Sequence, residues 1–201
     1  MLDTQRKKLE GKEGRYISIG ITDGGEPYNM IGVPWERTGT AFSMRIPDVY
    51  IAPEDLADEE LMELLSRYTV MGCYIWSPLE DYGFLARFPD IRDLNIKFCR
   101  NMTDLEFLRP LTNCYMLSLH GAELENLDVI LDMHAEHKNH LGGFSNVALS
   151  ECTVRDLSGF ESKRHCFHEF IVCGYEDEVT RNRWRVVNAG IRKYYDLSRD
   201  D

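Results

Sequence analysis

The chain has 201 residues, which is enough for one sizeable domain or for one domain with an appendage. Hydrophobic residues make up 43% of it and charged residues 28%, proportions that favour a folded core and disfavour global disorder. The net charge of −11 disfavours nucleic acid and anionic membranes as partners, because an acidic surface repels phosphate, and it favours a protein partner with a basic surface.

The N-terminal third predicts a small subdomain of strands and one helix. Residues 15–22 and 27–33 have strand composition and flank an Asp-Gly-Gly-Glu turn, so we expect a β-hairpin there. Residues 42–51 form a further extended stretch, in which Pro47 favours an edge strand. Residues 55–67 carry an apolar helical stripe, and this helix is expected to cover the first of the repeats that follow.

From about residue 70 to residue 172 the sequence repeats one apolar pattern. Three segments align, starting at Ile91, Cys114 and Phe144. Each has apolar residues at i, i+3 and i+5, a small residue at i+8 and then an apolar ladder of spacing three. The i+3 and i+5 residues are alternate positions of a short strand, and the ladder is the inner stripe of a helical turn. Because one unit cannot bury both stripes, stacked units are expected to share a core.

Two weaker units flank the three aligned segments. Upstream, Cys73 and Ile75 predict a strand, and downstream, Phe170 and Val172 lie one period after the last aligned strand. The strands anchored at Ile96, Leu119 and Leu149 are expected to be parallel neighbours in one sheet. The anchor residues of all five units are spaced by 21, 23, 30 and 23 residues, and they are Ile75, Ile96, Leu119, Leu149 and Val172. The longest spacing contains an inserted segment, residues 132–143.

The aligned segments resemble the leucine-rich repeat of the short bacterial type, whose signature reads L-x-x-L-x-L-x-x-N/C-x-L. The third segment fits the signature in full from Phe144 to Val154, with Cys152 at the N/C position. Cys99 fills that position in the first segment. Ala122 departs from it in the second, which predicts a turn that is weaker or bridged by water. The resemblance implies an α/β fold: a solenoid with a parallel β-sheet, short helices on its convex side and a small N-terminal β-plus-helix cap.

These patterns divide the chain into three predicted parts. Residues 1–68 are the predicted N-terminal cap, residues 69–175 about five repeats, and residues 176–201 a C-terminal helical cap and tail. The closing helix is predicted from the spacing of Trp184, Val187, Ile191 and Tyr194 or Tyr195. No stretch has the eighteen or so apolar residues that a membrane span needs, and the N-terminal residues do not resemble a secretory signal. We therefore expect a cytoplasmic protein with reduced thiols.

The resemblance implies that the concave face of the sheet binds a protein. Strand residues that point away from the core line this face. Trp76 is its expected anchor, because Trp and Tyr lead among the residues that dominate interface energies. The alternative is that Tyr74 and Trp76 pack beneath the N-terminal subdomain. The predicted partner-binding residues are Tyr74, Trp76, Asp93, Asn95, Lys97, Met116, Ser118, His120, Asn146, Ser150, Glu169 and Ile171.

These observations predict a non-enzymatic protein–protein interaction module with no cofactor, as a monomer or a weak homodimer. A sharper version is an inhibitor or immunity-type protein that masks a basic toxin or enzyme. One alternative is a hydrolase or transferase that uses Cys173 or the histidines. Another is a structural subunit whose concave face is covered by its own copy.

A zinc site is the metal alternative. His134, His137 and His140 stand three residues apart, a spacing that can place imidazoles on one helix face. There is no HExxH motif and no cysteine pair nearby to complete a ligand set, so the sequence predicts no metal.

Overall fold

A computed structural model describes residues 2–12, 15–25, 46–136, 146–159, 169–173 and 194–196. In these residues the chain is an α/β protein with parallel strands and few helices. The helices are α1 (Leu2–Leu9), α2 (Glu59–Ser66) and α3 (Asp128–Glu136), with 3-10 turns at Asp23–Gly25, Pro53–Ala57, Gly83–Arg87 and Glu106–Leu108. The strands are β1 (Tyr16–Ile21), β2 (Val49–Ile51), β3 (Thr69–Ile75), β4 (Asp93–Ile96), β5 (Met116–His120), β6 (Glu123–Leu124), β7 (Asn146–Ser150), β8 (Thr153–Val154), β9 (Glu169–Cys173) and β10 (Tyr194–Asp196).

The chain divides into two compact units, residues 1–77 and residues 78–201. The first unit includes β3, a strand that the sequence pattern assigned to the repeats. The predicted boundaries after residues 68 and 175 stay predictions. Among the described residues, none of the helices reaches the length and apolar character that a bilayer crossing requires.

In the first unit, β1 lies between β2 and β3 and pairs with both in parallel. Its sequence alternates isoleucine with other residues, so Ile17, Ile19 and Ile21 share one face and are buried there. The predicted hairpin is wrong, because β2 and β3 occupy both edges of β1 next to the Asp-Gly-Gly turn. Its second strand, residues 27–33, lies outside the described residues. The predicted edge strand is confirmed at Val49–Ile51, just after Pro47.

The predicted helix at residues 55–67 is shorter than expected. Pro53–Ala57 is a 3-10 turn, and α2 begins only after Asp58, whose carboxylate accepts a hydrogen bond from the Leu61 amide at 3.1 Å. This side chain caps the helix because it satisfies an amide that has no partner within the helix. The buried residues of α2 are Leu61, Met62 and Leu65.

The second unit contains the repeated segments, and its strands lie in the order β4-β5-β7-β9-β10, all parallel. Ile96, Leu119 and Leu149 occupy one row of the register, and all three are fully buried. Val172 continues that row on β9. The prediction that these anchors belong to parallel neighbours is therefore confirmed.

The same turn follows β4, β5 and β7. Phe98, Gly121 and Glu151 all adopt a left-handed backbone conformation, with φ of 59°, 84° and 53°. Glycine takes this conformation freely, whereas a side chain there costs on the order of 1–3 kcal/mol. The backbone thus repeats where the sequence repeats. The helical halves between these strands include the short turns at Gly83–Arg87 and Glu106–Leu108, whereas α3 extends into the inserted segment.

The C-terminal end differs from the prediction. Tyr194–Asp196 forms β10, which pairs in parallel with β9, so Tyr194 and Tyr195 are not helical. Adjacent tyrosines favour a strand, and Asp196 pairs with Val172 about one repeat earlier in the chain. The other residues of the predicted closing helix, Trp184, Val187 and Ile191, lie outside the described residues.

Candidate functional site

The predicted partner-binding residues of the second unit lie together on one face of its sheet. On β4, β5 and β7 they alternate with the buried anchors, so their side chains point away from the aliphatic core. The register places Asp93 beside Met116 and Met116 beside Asn146 in one row. Asn95 lies beside Ser118 in the next row, and His120 beside Ser150 in the third. Glu169 and Ile171 continue the first two rows along the backbone of β9.

This face is accessible at its ends rather than along its whole length. The residues at the middle of the strands are buried, as are Met116, the first residue of β5, and Lys97, which follows β4. The partly exposed residues are Asp93 and Asn146, where strands begin, and His120 and Ser150, where strands end. The continuous open face expected from the sequence is therefore interrupted. Four of its predicted residues are buried: Asn95, Lys97, Met116 and Ser118.

Three polar side chains are retained among these buried residues: Asn95, Lys97 and Ser118. The Oδ1 atom of Asn95 is buried, and among the described residues it has no hydrogen-bond partner. Such an atom destabilises the fold by about 1–3 kcal/mol, because it loses its bonds to water without replacement. Burial also lowers the pKa of the Lys97 ammonium, since the charged form loses hydration. Because their burial is energetically unfavourable, these polar groups distinguish this face of the sheet from the opposite face, which is aliphatic.

Tyr74 and Trp76 belong to the first unit and are not exposed. Tyr74 is fully buried, Trp76 is 3% exposed, and their rings stack with centroids 6.0 Å apart. The Tyr50 ring joins them and lies over Gly20, where a Cβ atom would come within 2.9 Å of it. Trp76 is thus part of a core, which corrects the expectation of an exposed anchor and agrees with the alternative that both rings are packed.

One pair of the thiol-enzyme alternative, Cys173 with His120, is far apart in the sheet, whereas His168, the other histidine expected near Cys173, lies outside the described residues. Cys173 pairs with Ser150, which pairs with His120, so Cys173 and His120 lie two strands apart. At the usual strand spacing this is about 9–10 Å between backbones. Burial raises the pKa of the Cys99 thiol to about 11 and that of Cys152 to about 12, so both are protonated at neutral pH.

These two thiols instead complete the end of β5. The Cys99 thiol donates to the His120 carbonyl at 3.0 Å, and the Cys152 thiol donates to the Leu119 carbonyl at 3.5 Å. Ala122, at the equivalent position after β5, has no such donor. The Cys152 thiol also lies 3.3 Å from the Ser150 carbonyl of its own strand. Thiols from the segments on both sides thus lie against the last carbonyls of β5, where Ala122 offers no donor.

Sequence reasoning missed two residues at the ends of the strands. Phe98 is 45% exposed, and its ring meets the His120 ring edge-on with centroids 6.4 Å apart. On the other side, His120 Nε2 lies 3.5 Å from Glu151 Oε2. Phe98 and Glu151 each directly precede a cysteine at the N/C position, as Gly121 precedes Ala122. A large apolar residue at a turn position that suits glycine was the signal available in the sequence.

No metal site emerges in the part of the chain that the structure describes, where no three histidine, cysteine or acidic side chains are grouped to hold an ion. The backbone of His134 lies in α3. His137 and His140 lie outside the described residues, so the absence of zinc stays a prediction.

No protein-family model matches this chain, and no curated protein matches it significantly. The partly exposed ends of the strands, with the side chains that flank them, are therefore the features from which a function can be inferred.

Proposed function

We propose that this protein is a non-enzymatic protein-binding module, built as a short leucine-rich-repeat solenoid. The observation that carries the proposal is the set of partly exposed polar residues that the parallel register gathers on one face. Asp93 and Asn146 lie at one end of the strands, and His120 and Ser150 lie at the other. The matched left-handed turns after β4, β5 and β7 support the solenoid.

The charge of the chain supports a basic partner. A net charge of −11 attracts a basic surface over long range and speeds encounter with it. An inhibitor or immunity-type protein that masks a basic toxin or enzyme fits this charge. A cytoplasmic location is part of the proposal, and it is supported by the hydrogen bonds that Cys99 and Cys152 donate as reduced thiols.

Capture of proteins from an extract of the native cell tests this proposal. The immobilised chain is compared with two variants of the face, Asp93→Lys and Ser150→Lys, and with Glu80→Lys as a control. Glu80 is exposed on a turn outside the strands, and its substitution changes the charge by the same amount as that of Asp93.

We expect a specific protein to bind the wild type and the Glu80 variant, and to be lost from at least one face variant. Binding should weaken as ionic strength rises, because opposite charges are screened. Equal binding to all four chains would contradict the proposal.

A further inference from the structure

Three side chains form a strip where the strands of the second unit end: Phe98, His120 and Glu151. His120 is the middle of the strip, with the Phe98 ring against one side of it and the Glu151 carboxylate against the other. All three reach solvent: Phe98 is 45% exposed, and the side chains of His120 and Glu151 are 31% and 55% exposed. An aromatic ring, an imidazole and a carboxylate are thus presented side by side.

The backbone beneath the strip would suit glycine better than the residues it carries. Phe98 and Glu151 have the left-handed conformation that Gly121 has in the repeat between them. Gly121 shows that this turn works without a side chain. Phe98 remains 45% exposed, so its packing against the fold is incomplete and does not by itself explain why an aromatic residue occupies a position that disfavours it.

We propose that this strip is the docking surface of the partner, and that the partner supplies an apolar cleft for the Phe98 ring and a lysine or arginine for Glu151. The inference rests on the proposed function and deepens it by naming the contact residues. Phe98 provides the apolar contact area that an interface needs at its centre. Glu151 provides charge complementarity, which the net charge of −11 extends to longer range.

The first test places a photoreactive phenylalanine analogue at Phe98 in the native cell. Phe107 serves as the matched control position, because it is also a partly exposed aromatic residue on a short turn, where its ring stacks on Tyr82. We expect one protein to cross-link at position 98 and not at position 107. Equal cross-linking at both positions, or none at position 98, would contradict the proposal that the strip is the docking surface.

The second test separates binding from stability with Phe98→Gly. Glycine accepts the left-handed backbone, so the unfolding midpoint should stay equal or rise, while capture of the cross-linked protein should fall about tenfold or more. Glu151→Gln should weaken capture less and should reduce its dependence on salt, because only the charge is lost. A Phe98→Gly chain that keeps its partner at full affinity refutes the proposal.

Failure of the strip and failure of the proposed function give different results. If Asp93→Lys or Ser150→Lys abolishes partner binding while Phe98→Gly and Glu151→Gln do not, the proposed function stands and the strip is not the docking surface. If all four variants retain the partner, the proposed function fails together with the strip.

Discussion

Replacement of Leu119 by alanine tests the register of the second unit most directly. Leu119 lies on β5, between Ile96 and Leu149 in the same row, and all three side chains are fully buried. The strands on both sides are hydrogen-bonded to β5, so they cannot close easily around a missing side chain. The substitution should therefore leave a cavity that stays open.

The expected loss of stability follows from this environment. Leu119→Ala removes three carbon atoms, and at about 0.8 kcal/mol each their transfer from water contributes about 2.4 kcal/mol. The cavity that remains adds to this figure, so we expect a total of about 3–4 kcal/mol, within the range of about 2–5 kcal/mol for core leucines. With a urea m-value of about 2 kcal/mol per molar, the midpoint should fall by about 1.5–2 M.

Urea unfolding followed by circular dichroism measures this shift. Leu79→Ala is the matched control, because it makes the same deletion at a partly exposed position in the same unit. The control should lose less than about 1 kcal/mol, as substitutions away from the core usually do. A similarly small loss for Leu119→Ala would refute the register described here, since a shift by one residue turns this side chain to the other face.

Three further predictions concern the packed rings, the thiols and an acidic group. Trp76→Ala should destabilise the protein by about 3–5 kcal/mol in the same unfolding assay, because its ring is core. Cys152 should resist a thiol reagent at pH 7.5 in the native protein and react once unfolded, as peptide mass mapping would show, because burial raises its pKa to about 12. Burial raises the pKa of Asp48, but hydrogen bonds from Lys12 and Ser18 outweigh it and hold the pKa below 3.8. The contribution of Asp48 to stability is therefore present above about pH 3.8 and is lost as the pH falls through the pKa of the folded state. Asp48→Asn should reduce the loss of unfolding midpoint that the wild type shows as the pH is lowered below 3.8.

The sequence predicts the strands β4, β5, β7 and β9 of the second unit well because their contacts recur at fixed spacing. Ile96, Leu119 and Leu149 can be aligned by eye, and each strand pairs with the next one of the repeat. β1 could not be placed in this way, because its partners lie far along the chain and the Asp-Gly-Gly turn is a strong local hairpin signal. Pairing between distant segments leaves no comparable pattern in the sequence.

The candidate site was predicted in part for a related reason. Strand alternation correctly indicated which side chains of β4, β5 and β7 share the second face, including His120 and Ser150. Alternation does not report burial, so it gave Asn95 and Ser118 the same weight as the exposed ends. Phe98 and Glu151 lie beyond the strands, where alternation does not apply, and their left-handed backbone is indicated only by their alignment with Gly121.

The strand orders of the two units have different consequences during synthesis. In the second unit, β4, β5, β7, β9 and β10 are neighbours in the order in which they are translated, so each new strand can add to the one before it. In the first unit, β1 needs β2 and β3, and β3 ends at Ile75. Translation proceeds at about 5–20 residues per second, so the isoleucine-rich segment Tyr16–Ile21 waits for seconds without its partners. The nascent chain therefore exposes an aggregation-prone apolar segment for a time set by the rate of translation. A chaperone that binds extended apolar segments could bind it during that time.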